Sequence, residues 1–373
     1  MNEQDGQVNR YSARNEWRDR IIANALTAER PTPAAMALVK RYPSMSSLEQ
    51  IHLLTLAPTP EALQDVSHGA VEQAIQRPLR GRAWRPRELL REAQQDLQWV
   101  SAASDHDLVW VGDARYPAAL HRVFDAPATL YTWGDPAALH RALPAIAMVG
   151  TRHPDDHGRR GAFTLGGEAA RCGFPVVSGL ALGIDAATHR GVVAAGHGEQ
   201  AVAVLGSGID TVYPRRNREF AGAILDGGGI LVSEYPPGTP PQRYQFPARN
   251  RIITGLSDAL VLFQAPEGSG ALITVEHALD IGLTIMAHVS GAGWTGVKSI
   301  TDHQVRFVES IDHVVRVLRQ DAVLPTEWRC PEHRFSDRTE RFDAERLARF
   351  GPVESPESIT TWRKQLQTAG GHE

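Results

Sequence analysis

AIAMVGTRHPDDHGRRGAFTLGGEAARCGFPVVSGLALGID, residues 145–185, contains the pattern that decides the fold. A strand-length apolar run, Ala145–Val149, ends in a glycine loop; a helix-like segment follows at Arg159–Cys172; a second apolar run, Pro175–Ser178, ends in another glycine loop. Strands covered on both faces read as continuous apolar runs rather than as alternations, and parallel neighbours need a crossover between them. Working outward, further runs at Ala201–Leu205, Gly229–Ser233, Ala259–Phe263 and Thr284–His288 predict strands. The segments between them predict helices at Ile184–Ala195, Asn217–Asp226, Arg249–Leu256 and Ala271–Asp280, and residues 307–318 close the series as a strand–helix piece. The reading is α/β: a Rossmann-like, doubly wound, mostly parallel sheet over residues 143–318.

Upstream, residues 1–105 predict a helical N-terminal region, with Leu48, Ile51 and Leu54 at helical spacing inside Met45–Leu63 and a polar helix at Arg85–Val100. Residues 106–142 read as a connector with short β-rich pieces and a turn at Gly134-Asp135-Pro136. Residues 319–373 read as a charged, Pro-bearing tail, loosely folded or small and helical, with a helix expected at Asp343–Phe350.

At 373 residues and 42% hydrophobic, the chain can bury more than one core. Its apolar runs are too short to cross a membrane, and MNEQDGQVNRYSAR carries no apolar signal core, so a cytoplasmic protein with no membrane partner is expected. Two cysteines, Cys172 and Cys330, read as reduced thiols rather than a disulfide framework. No metal-ligand cluster assembles, and no cofactor is expected. A net charge of -4 does not advertise a nucleic-acid binder, so any such site must be a local basic patch.

In open α/β sheets ligands sit outside the carboxyl ends of strands, and the unusual clusters fall there. Gly150-Thr151-Arg152 follows the first strand; glycine, hydroxyl and helix-start amides can hold an anion, though taken alone such residues form a turn more often than a site. Ser178-Gly179 opens the second loop, which ends at Asp185, a residue that reads as helix cap or ligand contact; His189, one turn on, reads as structural. Gly206-Ser207-Gly208 permits close approach to a phosphate and leads into Tyr213-Pro214-Arg215-Arg216-Asn217-Arg218. Phe246-Pro247-Ala248-Arg249-Asn250-Arg251 puts two cations and an amide at an expected helix start, where cations oppose the helix dipole unless an anion is bound. Tyr244 and Phe246 could stack bases, and Phe246 could equally sit in the core. Ser269-Gly270 with Thr274 opens another helix like a phosphate cradle, without the Lys-Ser/Thr of a nucleotide-hydrolysing P-loop.

Taken in order, VGTR, SGLALGID, LGSGIDTVYPRRN, SEYPPG, FPARNRIITGLS and GSGALIT resemble the DprA/Smf family of DNA-processing proteins, and the YP…L…P…LY pattern at 116–131 looks like that family's lead-in. The resemblance implies a Rossmann-like core that binds single-stranded DNA in a positively charged pocket lined by Arg152, Arg215, Phe246, Arg249 and Arg251. It also implies a homodimer and a role in loading the RecA recombinase during uptake of transforming DNA. The chain departs from the pattern at Thr151, where serine is usual, at Gln264, where an acid is usual, and in HVSGAGWTGVKSITDHQV; neither the N-terminal region nor the tail matches the accessory domains of many members.

The loops thus read as a non-catalytic binding surface made of Gly150, Thr151, Arg152, Ser178, Gly179, Gly206, Ser207, Gly208, Arg215, Asn217, Phe246, Arg249, Asn250, Arg251, Ser269, Gly270 and Thr274. Two alternatives share the fold. One is a phosphoribohydrolase-like enzyme, for which Glu234 and Glu267 are the available acids although the usual PGGxGT loop is missing; the other is a nucleotide-binding sensor.

Overall fold

The computed structural model describes residues 3–330 apart from 43, 141 and 301–304, with side chains described from residue 15 onward. The expected helix at Asp343–Phe350 lies outside the described residues. The described chain divides into two compact units: residues 3–136 with the short returns 208–211 and 232–240, and residues 137–207, 212–231 and 241–330.

In the first unit, helices α1 (Glu3–Thr27), α2 (Pro33–Lys40), α3 (Ser47–Leu56), α4 (Pro60–Asp65), α5 (His68–Ile75) and α6 (Pro86–Ser101) precede strands β1 (His106–Trp110) and β2 (Thr129–Trp133). Capping residues set the boundaries. The Thr32 side chain accepts from Ala35 N ahead of Pro33, and Ser46 with Glu49 forms a reciprocal capping box. The single helical stretch expected over Met45–Leu63 is two helices, because Thr59 caps a new start at Pro60. β1 and β2 pair antiparallel from His106↔Trp133 to Trp110↔Thr129. The fully buried acid Asp96 is gripped by Arg41, whose Nε donates to it at 3.0 Å.

In the second unit the chain alternates β3 (Ile146–Val149), α7 (Asp156–Arg171), β4 (Val176–Ser178), α8 (Ile184–Ala194), β5 (Ala201–Leu205), α9 (Arg218–Asp226), β6 (Ile230–Ser233), α10 (Gln245–Gly255), β7 (Ala259–Leu262), α11 (Gly270–Asp280), β8 (Thr284–His288), α12 (Thr295–Lys298), β9 (Arg306–Val308) and α13 (Ile311–Gln320). The strand order is β6-β5-β4-β3-β7-β8-β9, and β3 pairs parallel with both β4 and β7. The winding therefore reverses between β3 and β7, the position where a doubly wound sheet opens a crevice at its carboxyl edge. The expected α/β, mostly parallel architecture is found. Residues 146–149, 201–205, 230–232 and 259–262 are buried without interruption, which is why each reads as an unbroken apolar run. Glycines let α7 and α8 pack backbone to backbone: a Cβ on Gly166 would lie 2.5 Å from Thr188 O, and one on Gly191 would lie 1.9 Å from Phe163 O.

Two expectations are overturned. α10 begins at Gln245, a full turn before Arg249. Pro247 sits in the first turn, where proline's missing N–H costs nothing, and Gln242 N donates to the Gln245 side chain at 2.6 Å. The cysteines are not thiols either: Cys172, at the end of α7, is bonded to Cys330, 158 residues on. A cysteine count cannot show that the chain beyond α13 returns to that helix end, where the Trp328 ring lies 5.0 Å from Phe174.

Candidate nucleic-acid interface

The loops at the reversal point are stitched together from within. Thr151 N donates to Gln264 O at 2.7 Å and Ile184 N donates to Thr151 O at 3.2 Å, tying the β3 and β7 loops to the start of α8. Gly150 is required, since a Cβ there would come within 2.6 Å of the Ile184 side chain. Gln264 explains its own departure from the family's acid. Its amide oxygen accepts from Asp155 N at 3.0 Å while its nitrogen donates to the Asp155 carboxylate at 2.7 Å and to Ser290 O at 3.1 Å. A carboxylate could accept but not donate, and would face Asp155 charge to charge. Asp155 also caps α7 through Gly158 N, the main reason its pKa is held below the usual carboxylate range, with the Gln264 amide next.

The β4 loop is held by buried polar groups. Ser178 Oγ donates to Met148 O at 2.7 Å, and Asp185 accepts from Gly179 N at 3.2 Å and Ala181 N at 3.4 Å. Asp185 thereby resolves as a loop anchor; burial raises its pKa, opposed chiefly by the nearby Arg249 charge. Asn217 Nδ2 donates to Leu180 O at 2.9 Å, fixing a residue with φ of 53°. His189 is fully buried, and burial lowers its pKa to about 4.

Arg249 is the largest surprise. It is 4% exposed; its guanidinium donates to Gly179 O at 2.8 Å and to Val204 O, tying the ends of β4 and β5, and its Nε donates to Asn250 Oδ1 at 3.3 Å. Gly179 lies so close that a Cβ would fall 2.4 Å from that guanidinium. Arg251 is also buried and donates to Ala248 O at 2.8 Å, while Asn250 Nδ2 donates to Gly270 O at 3.2 Å, linking α10 to α11. Since neither arginine lies in the first turn of its helix, the conflict with the helix dipole expected from the sequence does not arise.

What faces solvent is a smaller set. The Arg152 guanidinium sits 5.5 Å from the centre of the half-buried Phe246 ring, and that ring lies 5.5 Å from Tyr213 at a 45° tilt. Gly206 lies against the same ring: a Cβ there would be 2.8 Å from Phe246 Cδ1. Tyr213 is 45% exposed and Tyr244 68% exposed. Arg215 and Arg216 are exposed on a short 3-10 turn, Arg215–Asn217, anchored by the buried Asn217. Tyr213, Tyr244 and Arg216 belong with the predicted residues by position; their exposure beside a glycine loop could be suspected but not read from the sequence.

The remaining predicted residues divide by burial. Ser207 and Thr274 are buried. Gly208 falls in the first unit, where its N donates to Thr239 O at 2.9 Å. Ser269 stands at the N-cap position of α11 without a side-chain capping bond, its Oγ is buried and has no hydrogen-bond partner among the described residues, and a Cβ on the exposed Gly270 would meet open space. Of the two candidate acids for hydrolysis, Glu234 is buried against Lys40 Nζ at 3.1 Å in the first unit and Glu267 is exposed on a loop. Among the described residues no group of three or more His, Cys, Asp or Glu could hold a metal, and no helix is long and apolar enough to cross a membrane.

Comparison with known proteins points one way. The Smf protein of Synechocystis is 40% identical over 204 residues, 54% of this chain and 48% of that protein. The chain spans about half the length of the curated relatives it matches. Among solved structures, DNA processing protein A of Streptococcus pneumoniae aligns with a TM-score of 0.62 at 26% identity, covering 77% of this chain and 98% of that one. DNA processing protein A of Helicobacter pylori, described for its mode of binding single-stranded DNA, aligns with a TM-score of 0.52 at 25% identity, covering 58% of this chain and 96% of that one. None of these names, nor the family's description, carries an enzymatic activity. The family model described as DNA recombination-mediator protein A matches residues 107–319, more than half of the chain, and the chain belongs to that family.

Proposed function

We propose that this protein binds single-stranded DNA without sequence preference, stacking bases on Phe246, Tyr213 and Tyr244 and holding phosphates with Arg152 and Arg215. The observation that supports it best is the Arg152–Phe246–Tyr213 cluster: a cation and two aromatic faces meet at the carboxyl edge of the sheet, partly open to solvent. Unpaired bases expose both π-faces, whereas duplex stacking hides them, so this chemistry favours single strands. In this reading Gly150 and the exposed Gly270 offer backbone donors to phosphates, and Thr151, Gly206 and Ser269 shape the loops that present them. Ser178, Gly179, Ser207, Gly208, Asn217, Asn250, Arg251, Thr274 and above all Arg249 shape the loops from behind.

Family membership supports a recombination-mediator role, and we infer that the protein acts non-catalytically in the cytoplasm, as a homodimer that presents its DNA to the RecA recombinase. In a reducing compartment the Cys172–Cys330 bond would follow the local thiol poise. The test is a titration of labelled poly-dT and its duplex at about 50 and 200 mM salt, where counterion release weakens true phosphate binding severalfold or more. Tighter, salt-sensitive binding of the single strand supports the reading; equal affinity for duplex, or affinity indifferent to salt, overturns it.

A further inference from the structure

The chain between β5 and Tyr213 is fastened at one turn. Thr211 N donates to Gly208 O at 2.8 Å, closing residues 208–211. Asp210 stands inside that turn, partly buried, and its Oδ1 accepts from Gly238 N at 2.7 Å and from the Thr211 hydroxyl at 3.0 Å. Gly208 N adds a bond to Thr239 O at 2.9 Å, and the approach is close: a Cβ on Gly208 would lie 2.6 Å from Pro236 O and 3.1 Å from the same Asp210 oxygen. Residues 234–237 are held in turn. Arg41, whose Nε binds the buried Asp96, donates to Pro237 O at 3.1 Å, and Lys40 Nζ donates to Glu234 Oε1 at 3.1 Å. All of these groups lie in the first unit. The stacking pocket begins on either side of the turn. Two residues before it, Gly206 lies against the Phe246 ring; two residues after it, beyond the buried Val212, the exposed Tyr213 ring lies 5.5 Å from the same ring. A carboxylate so near in the chain to a base-stacking face works against a polyanion by charge, so its use here lies in the donors it gathers.

We infer that Asp210 is a positioning residue for the stacking pocket: by holding the 208–211 turn on residues 236–239, it sets the direction in which Tyr213 meets Phe246 and the base between solvent and ring. It does so without touching DNA. The role rests on the single-strand reading above and deepens it, by tying the pocket's geometry to a turn that Lys40 and Arg41 of the first unit help to hold. An exposed ring has little packing of its own, so its direction follows from the backbone that delivers it. Loosening the turn therefore costs stacking and leaves every phosphate contact in place.

The test uses the full chain carrying Asp210→Ala, Asp210→Asn, Tyr213→Ala, or Asp210→Ala and Tyr213→Ala together. Labelled dT20 is titrated at several salt concentrations, with melting temperature measured alongside to confirm the fold. Tyr213→Ala should weaken binding by at least about fivefold, the low end for losing one stacked base. Asp210→Ala should reproduce most of that loss with the wild-type salt slope, whereas loss of a phosphate contact would lower the slope by about 0.7. Asp210→Asn keeps an acceptor oxygen for Gly238 N and should bind within about twofold of wild type. The double variant should bind no more weakly than Tyr213→Ala alone, because the carboxylate acts through that ring. Thr211→Val removes the other donor to the same oxygen; it should weaken binding in the same direction but less, and it carries the test if Asp210→Ala does not fold. Losses that add in the double variant, a lowered salt slope, an asparagine variant as weak as the alanine one, or tighter binding by both would overturn the role while leaving the pocket standing. Failure of the wild-type protein to bind dT20 would instead overturn the single-strand reading, and the role with it.

Discussion

Arg249→Ala tests whether this side chain holds the site together or touches the ligand. In the folded protein its guanidinium donates to Gly179 O and Val204 O and its charge offsets the buried Asp185 carboxylate. Removal leaves two buried carbonyls without these donors, at about 1–3 kcal/mol each, and a buried acid with less compensation. We expect a loss of about 3–5 kcal/mol, in the range found when one partner of a buried charge pair is removed. For a unit of this size each kcal/mol moves the melting temperature by about 2–4 °C, so the variant should melt about 6–20 °C early. Differential scanning calorimetry measures this directly, with Arg152→Ala as control: that exposed residue should change stability by no more than about 0.5 kcal/mol. An Arg249→Ala protein that melts within about 2 °C of wild type would refute the reasoning and return Arg249 to the list of ligand contacts.

Three other outcomes follow from the same structure. Gly206→Ala places a methyl 2.8 Å from Phe246 Cδ1 and should weaken oligonucleotide binding severalfold by shifting the ring; unchanged affinity would show that the ring's position is unimportant. Cys330→Ser opens a loop of 158 residues and should cost about 2–4 kcal/mol relative to the oxidised protein in urea titration, while leaving the reduced proteins equally stable. His189 and His288 are buried with pKa values lowered to about 4, below the ordinary 6.5, so the unfolded chain binds more protons between those values. Their contribution to stability is present above pH 6.5 and lost as pH falls toward 4; His288→Gln should shrink the drop in stability between pH 7 and pH 5, and an unaltered pH profile would refute it.

Much of the fold was legible because strands buried on both faces leave an unmistakable trace, as in Ala201–Leu205 and Ala259–Leu262. Loop glycines marked the carboxyl edge for a related reason: Gly150, Gly179 and Gly206 each sit where a Cβ would strike a neighbour. The sequence could not show which side of those loops a polar residue faces. Arg152 and Arg249 stand in similar arginine-bearing motifs, yet one lies over an aromatic ring at the surface and the other ties two strands from inside. α10 starts a turn ahead of the expected Arg249, with Pro247 accommodated in its first turn, where a missing N–H is tolerated. The Cys172–Cys330 bond joins residues far apart in the chain, and no local pattern encodes it.

The central claim is that bases stack on the aromatic cluster beside Arg152, and photo-cross-linking reads that contact directly. A dT20 strand carrying 5-iodouracil, irradiated with the protein and mapped by peptide mass spectrometry, should form adducts at Phe246, Tyr213 or Tyr244, and these should fall several-fold in Arg152→Ala. Adducts confined to peptides outside residues 206–251, or a pattern indifferent to Arg152, would contradict the account.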